Sequence, residues 1–243
     1  MIKWLNAVID IPAAHFDLVS DFWIEVTNSR AGEIHPDHDE YVRLLPESGD
    51  MHLELQRIDE GSARVHLDLV VDDIPATTER AIEMGATLIA RPGHAVLETP
   101  GGMSFCIVPY GTESVCAPAI DAAYPHAVDQ ICLDVPHEQF DADVQFWSAV
   151  TGWAVNPARL PEFRSLAQPA ELPLRILIQQ LGPQDHSGGR AHLDISSGDH
   201  VATLTERHQR LGARVVDERT HWTTLIDPAG MPYCLTSRQP RVG

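Results

Sequence analysis

The chain has 243 residues, 44% hydrophobic and 21% charged, enough for one large domain or two ordinary ones with buried cores. Its 35 acidic and 17 basic residues give a net charge of -18 with no basic run, which excludes a nucleic-acid surface and disfavours an anionic membrane. No apolar run reaches the roughly 18 residues of a membrane span, and Asn6 and Asp10 interrupt the stretch a secretory signal would need, so a cytoplasmic protein is expected.

From the N-terminus, Trp4 to Ile11 alternates around Leu5, Ala7, Ile9 and Ile11, the pattern of a strand. Asp10 precedes Ile11-Pro12 and is expected to cap the turn that follows, as is Asp134 before Val135-Pro136. Phe16, Val19, Phe22, Trp23 and Val26 recur at spacings of three and four, which predicts a helix. Tyr41 to Leu45 and Met51 to Ile58 read as strands flanking the turn Glu47-Ser48-Gly49-Asp50. A second strand, Val65 to Val71, leads to a helix capped by Asp72 or Asp73, with Pro75 in its first turn and Gly85 at its end. Strands at Thr87 to Ala90, Ala95 to Thr99 and Met103 to Pro109 complete the set. The unit is therefore strand, helix, then two or three strands, present twice in this half of the chain.

The whole pattern then repeats. Asp10-Ile11-Pro12 recurs as Asp134-Val135-Pro136, and Phe22-Trp23 as Phe146-Trp147. His66-Leu67-Asp68 recurs as His192-Leu193-Asp194, Gly85-Ala86 as Gly212-Ala213, and Pro100-x-Gly102-Met103-x-x-Cys106 as Pro228-x-Gly230-Met231-x-x-Cys234. Matches kept in order, in a register drifting by a few residues, indicate duplication of a module. The expected domains are residues 1–117 and 126–243, joined by a linker at 118–125 that contains Pro118 and Pro125.

Strand parity selects the side chains opposite the packing face. These are Asn6, Val8 and Asp10 in the first strand, Gln130, Cys132 and Asp134 in its repeat, and His66 with Asp68 and His192 with Asp194. Glu54 lies between Leu53 and Leu55, and its repeat partner is Leu177; Cys106 and Cys234 sit in the last strands. No cysteine pair has the Cys-x-x-Cys spacing of a zinc knuckle or redox site, so reduced thiols are expected. Pro183 to Arg190 lacks the strand–loop–helix setting of a phosphate cradle, no Gly-x-Ser-x-Gly elbow occurs, and His35-Pro36-Asp37-His38-Asp39-Glu40 reads as a solvated loop.

Phe22-Trp23, the strand His66-Leu67-Asp68-Leu69 and the endings Thr99-Pro100-Gly101-Gly102 and Asp227-Pro228-Ala229-Gly230, in this order and repeated, resemble the vicinal-oxygen-chelate (glyoxalase/bleomycin resistance/dioxygenase) superfamily in its glyoxalase-like branch, over nearly the whole chain. The resemblance implies an α+β fold of two tandem domains, each two βαβββ units whose curled mixed sheets enclose a cavity. It implies ligand-binding positions at Asn6, Glu54, His66 and Cys106, and at Gln130, His192 and Cys234 with Leu177 in the fourth place, and strand parity adds Cys132 to the ligand-binding set. Metal-dependent members hold a divalent ion with His and Glu at such places. Here the second copy offers one imidazole, one thiol and one amide, a poor hard-metal site, while Glu54, His66 and Cys106 in the first could hold zinc.

The leading expectation is a metal-free protein that encloses a small molecule, cationic if the acidic balance matters, as in antibiotic or metabolite sequestration. Trp4, Trp153 and Trp222 would be available for stacking, and His94 and His221 for a pocket mouth. The alternative is a metal-dependent lyase, isomerase or dioxygenase with Glu54 and His66 as catalytic residues; a third is a structural partner with degenerate cavities. The sequence leaves a homodimer open.

Overall fold

A computed structural model describes residues 1–33, 38–91, 93–121, 123–185 and 187–241; His35, Pro36 and Asp37 of the acidic loop lie outside them. The first half contains β1 (Ile2–Pro12), α1 (Phe16–Val26), β2 (Arg30–Ala31), β3 (Tyr41–Leu45), β4 (Leu53–Ile58), β5 (Arg64–Val71), α2 (Ile74–Glu83), β6 (Thr87–Ala90), β7 (Ala95–Glu98) and β8 (Ser104–Pro109). The second contains β9 (Ala127–Val135), α3 (Phe140–Thr151), β10 (Val155–Pro157), β11 (Phe163–Leu166), β12 (Arg175–Gln180), β13 (Arg190–Ser196), α4 (Val201–Arg210), β14 (Arg214–Glu218), β15 (Trp222–Ile226) and β16 (Pro232–Thr236). The expected α+β architecture and the duplication are therefore present.

Two eight-stranded sheets carry the fold, in the orders β2-β3-β4-β1-β5-β8-β7-β6 and β10-β11-β12-β9-β13-β16-β15-β14, one being the other shifted by eight strands. Both are mixed, because β5 runs parallel to β8 and β13 parallel to β16, while the outer hairpins are antiparallel. Even the irregularity repeats, with a register shift at Leu88/Ala90 and another at Val215/Asp217.

The helices form where the apolar period predicts. α1 buries Val19, Phe22, Trp23 and Val26 on one face. Asp73 rather than Asp72 caps α2, its carboxylate accepting the Ala76 N–H at 2.9 Å. Gly85 follows with φ +106°, the left-handed backbone that closes a helix.

The chain condenses into two compact units, each drawing segments from both copies. One comprises Met1–Ala7, His66–Ser114 and Ile131–Ala191; the other comprises Val8–Val65, Val115–Gln130 and His192–Gly243. In the first, Phe105 meets Phe146 and Trp147 edge-on at 5.7 and 5.2 Å. In the second, Tyr233 meets Phe22 and Trp23 at 6.0 and 5.3 Å, and Trp23 Nε1 donates to Asp227 at 3.2 Å. The repeated Phe-Trp pairs thus nucleate both cores.

Asp10 and Asp134 do not cap the turns after them. Pro12 occupies the cap position of the following 3-10 turn, with no side-chain cap hydrogen bond, and Asp10 lies within β1. Arg64 Nε donates to buried Asp10 at 2.6 Å, and Arg190 Nε stands 3.5 Å from Asp134, so each carboxylate is held by an arginine at the start of a later strand. Replacing Arg64 by Met withdraws the guanidinium from a carboxylate that stays buried. A loss of about 1–3 kcal/mol in unfolding free energy is expected from urea denaturation.

Candidate functional site

The centre of each sheet places an imidazole, a carboxylate and a thiol together. His66 and Asp68 are two residues apart on β5 and share a face, and the parallel pairing sets Asp68 opposite Cys106 on β8. His66 Nε2 lies 3.3 Å from Asp68 Oδ1, and ligand atoms of all three residues fall within 4.8 Å of one another. The second copy reproduces this, with Asp194 opposite Cys234 and His192 Nε2 3.5 Å from Asp194 Oδ1. All six side chains are buried.

The copies differ in how the carboxylate is satisfied. Gln130 Nε2 donates to Asp194 Oδ2 at 2.5 Å. The equivalent residue in copy one is Asn6, one methylene shorter. Among the described residues, Asn6 Oδ1 and Asp68 Oδ1 are both buried without a hydrogen-bond partner, with His66 Nε2 3.3 Å from the latter. The two acceptors stand on the adjacent strands β1 and β5. An unsatisfied buried acceptor costs roughly 1–3 kcal/mol.

Burial pushes both thiols up. For Cys106, His66 draws the thiol back down and the Asp68 charge raises it further. For Cys234, His192 acts downward, Asp194 upward, and the Thr224 hydroxyl at 3.4 Å lowers it again. Val96 stands opposite Cys106 where Thr224 stands opposite Cys234, so the first thiol has the more apolar neighbour.

Glu54 faces Arg43 across the β3–β4 pair, with Nε and Oε1 3.5 Å apart, whereas its repeat partner Leu177 faces Ser165. Cys132 Sγ lies 3.6 Å from Gln179 Oε1 and 4.0 Å from Asp134 Oδ1. Trp4 is 1% exposed and belongs to the core rather than to an open stacking face. His221 and Trp222 line a groove beside α4. The residues absent from the expected set are Asp68 and Asp194 as carboxylate partners; the His-x-Asp spacing on a strand was the signal for them.

As a metal centre, copy one offers one nitrogen, one sulfur and carboxylate or amide oxygen, a mixture that suits zinc better than magnesium or calcium. The orphaned Asn6 and Asp68 oxygens agree with a cation there, and a bound ion would draw the buried thiol to thiolate. Copy two fits less well, because the Gln130 amide already occupies its carboxylate.

A model of the glyoxalase-like domain matches residues 6–108 and again 130–236. No curated protein sequence matches the chain. Among solved structures, 2,2',3-trihydroxybiphenyl 1,2-dioxygenase from dibenzofuran-degrading Sphingomonas wittichii strain RW1 is 12% identical, with a TM-score of 0.65 over 100% of this chain and 92% of that one. The 2,3-dioxygenase LapB from Pseudomonas sp. KL28 is also 12% identical, with a TM-score of 0.65 over 98% and 92% of the two chains. A mutant of 4-hydroxymandelate synthase from Streptomyces coelicolor is 13% identical, with a TM-score of 0.61 over 98% and 92%. At these identities the likeness is one of fold alone.

Proposed function

The chain belongs to the glyoxalase-like domain family, and from that premise we propose that it binds a small molecule at the copy-one site through a positive or hydrogen-bond-donating group. The observation that carries this reading is the pair of buried, donorless acceptors Asn6 Oδ1 and Asp68 Oδ1, set against the self-satisfied Gln130–Asp194 pair of copy two. A cationic antibiotic or metabolite has the required chemistry, and sequestration needs nothing further from the protein. Copy two serves as scaffold.

The test is a thermal-shift panel of zinc, agmatine, spermidine and kanamycin against neutral catechol and anionic benzoate. A cation at a hundredfold excess over its Kd stabilises by about 2.7 kcal/mol. Asp68→Asn, which removes the charge and adds a donor, should weaken that binding at least about tenfold. A panel without a stabilising cation, or a shift that Asp68→Asn leaves intact, sinks the reading.

The grouping of His66, Asp68 and Cys106 favours one second reading, in which the positive centre is a divalent ion. The ion, when bound, supplies Lewis-acid polarisation of a substrate oxygen. His66, Asp68 and Cys106 hold it, Asn6 orients the substrate, and Glu54 stays outside the chemistry, its charge committed to Arg43. Cobalt loading is expected to give a sulfur-to-metal charge-transfer band that Cys106→Ser abolishes; a cobalt-treated protein lacking that band removes the metal reading and leaves the first intact.

A further inference from the structure

A groove of about 670 Å³ lies between α4 and the β14–β15 hairpin, a size that suits a drug-sized ligand. Val201, Val215 and Trp222 contribute its apolar wall, and Asp199, Glu206 and Glu218 its carboxylates. Arg219 also lines it, but its Nε is held by Asp217 at 2.6 Å.

One buried atom here lacks a partner. Thr205 is 8% exposed, lines the groove, and its Oγ1 has no hydrogen bond among the described residues. A helical threonine ordinarily satisfies its hydroxyl on the carbonyl four residues back. Thr78, the equivalent residue of α2, does so, donating to the Ile74 carbonyl at 2.7 Å. Thr205 leaves that bond unmade, so a residue lining the groove holds an unpartnered hydroxyl.

We infer that this groove is a second ligand site, separate from the His66 site, and takes a primary ammonium carried on an aromatic or branched apolar body. The ammonium sits among Asp199, Glu206 and Glu218 and donates to Thr205 Oγ1, while the body packs on Val201, Val215 and Trp222. Carboxylates around an aromatic wall favour a cation over a neutral or anionic molecule of equal shape, and the chain's net charge of -18 acts in the same direction.

The test is calorimetric titration of the full chain with benzylammonium, benzyltrimethylammonium, benzyl alcohol and benzoate. Benzylammonium is expected to bind, and the neutral and anionic molecules not. The exposed double substitution Glu206→Gln/Glu218→Gln should weaken it about tenfold, and 0.5 M salt should weaken it in the same direction. Thr205→Val should weaken benzylammonium several-fold while leaving benzyltrimethylammonium, which has no N–H, unchanged. Asp68→Asn should leave all of this unaltered. The inference is overturned if benzylammonium does not bind, if benzyl alcohol binds equally well, or if binding survives the groove substitutions and is lost with Asp68→Asn; in that last case the His66 site is the receptor.

Discussion

His208→Gln will be more stable at pH 4, relative to pH 7.5, than the native chain by about 3 kcal/mol in urea denaturation. His208 lies in α4, 1% exposed, with its Nδ1 3.0 Å from the Tyr233 hydroxyl and the Phe22 ring against it. Burial pushes its pKa down to about 3, and the positive charges of His126 and Arg207 add to that. The folded imidazole therefore stays neutral where the unfolded one, near 6.5, takes up a proton. Its contribution is present in full above pH 6.5 and is lost as pH falls from there towards 3. Each pH unit in this window costs about 1.4 kcal/mol, which gives the figure above at pH 4. Glutamine keeps a partner for Tyr233 and has nothing to protonate. A native chain and variant with parallel stability profiles between pH 7.5 and 4 would contradict this account of the α4 core.

Gly101→Ala will destabilise the protein by about 2 kcal/mol, and introducing the equivalent residues of the other compact unit, Thr99→Asp and Asp143→Val, alongside it will recover most of the loss. A Cβ on Gly101 would come within 2.7 Å of Asp143 Oδ2 and 3.1 Å of Val135 Cγ1. Asp143 on α3 accepts the Gly101 N–H at 2.7 Å and the Thr99 hydroxyl at 3.1 Å. In the other compact unit, Ala229 and Asp227 of copy two stand in place of Gly101 and Thr99, Val19 of copy one stands in place of Asp143, and Asp227 accepts the Ala229 N–H at 2.9 Å. The carboxylate has thus moved between helix and loop, and the size of the loop residue has moved with it. The exchange also explains why Trp23 Nε1 reaches Asp227 while buried Trp147 Nε1 has no hydrogen-bond partner among the described residues. Strict additivity of the three substitutions would refute the coupling.

The same carboxylate carries a pH signature of opposite sign to His208. Burial, opposed by the Gly101 and Thr99 hydrogen bonds, raises Asp143 to about 6. Its raised pKa favours the folded state most at low pH, and that advantage is lost as pH climbs from about 4 to 6. Asp143→Asn should match the native chain near pH 4 and exceed it by about 1–3 kcal/mol at pH 7.5.

The helix period of Phe16 to Val26, the doubled motifs and the strand ends at Tyr41, Leu45 and Ala90 were legible because they depend on local pattern. The His-x-Asp pairs were legible for the same reason. What was not legible depends on partners far along the chain. Asp10 looked like a cap because the turn rule is local, whereas Arg64 reaches it from another strand. The Arg43 beside Glu54 was not legible either, because the register that sets it there belongs to the β3–β4 pair. Single-residue exchanges between copies, such as Asn6 for Gln130, gain meaning only once Asp68 and Asp194 are seen to differ in their donors.

The most direct test of the copy-one site is therefore the substitution Asn6→Gln, which gives Asp68 the internal donor that Gln130 gives Asp194. Calorimetric titration of the native chain and Asn6→Gln with zinc and with agmatine reads the outcome. The expected result is a variant at least as stable as the native chain without ligand, whose affinity for the cation is weakened at least about tenfold. Unchanged affinity in Asn6→Gln, with the fold intact, would mean that the two orphaned oxygens are not where the ligand binds.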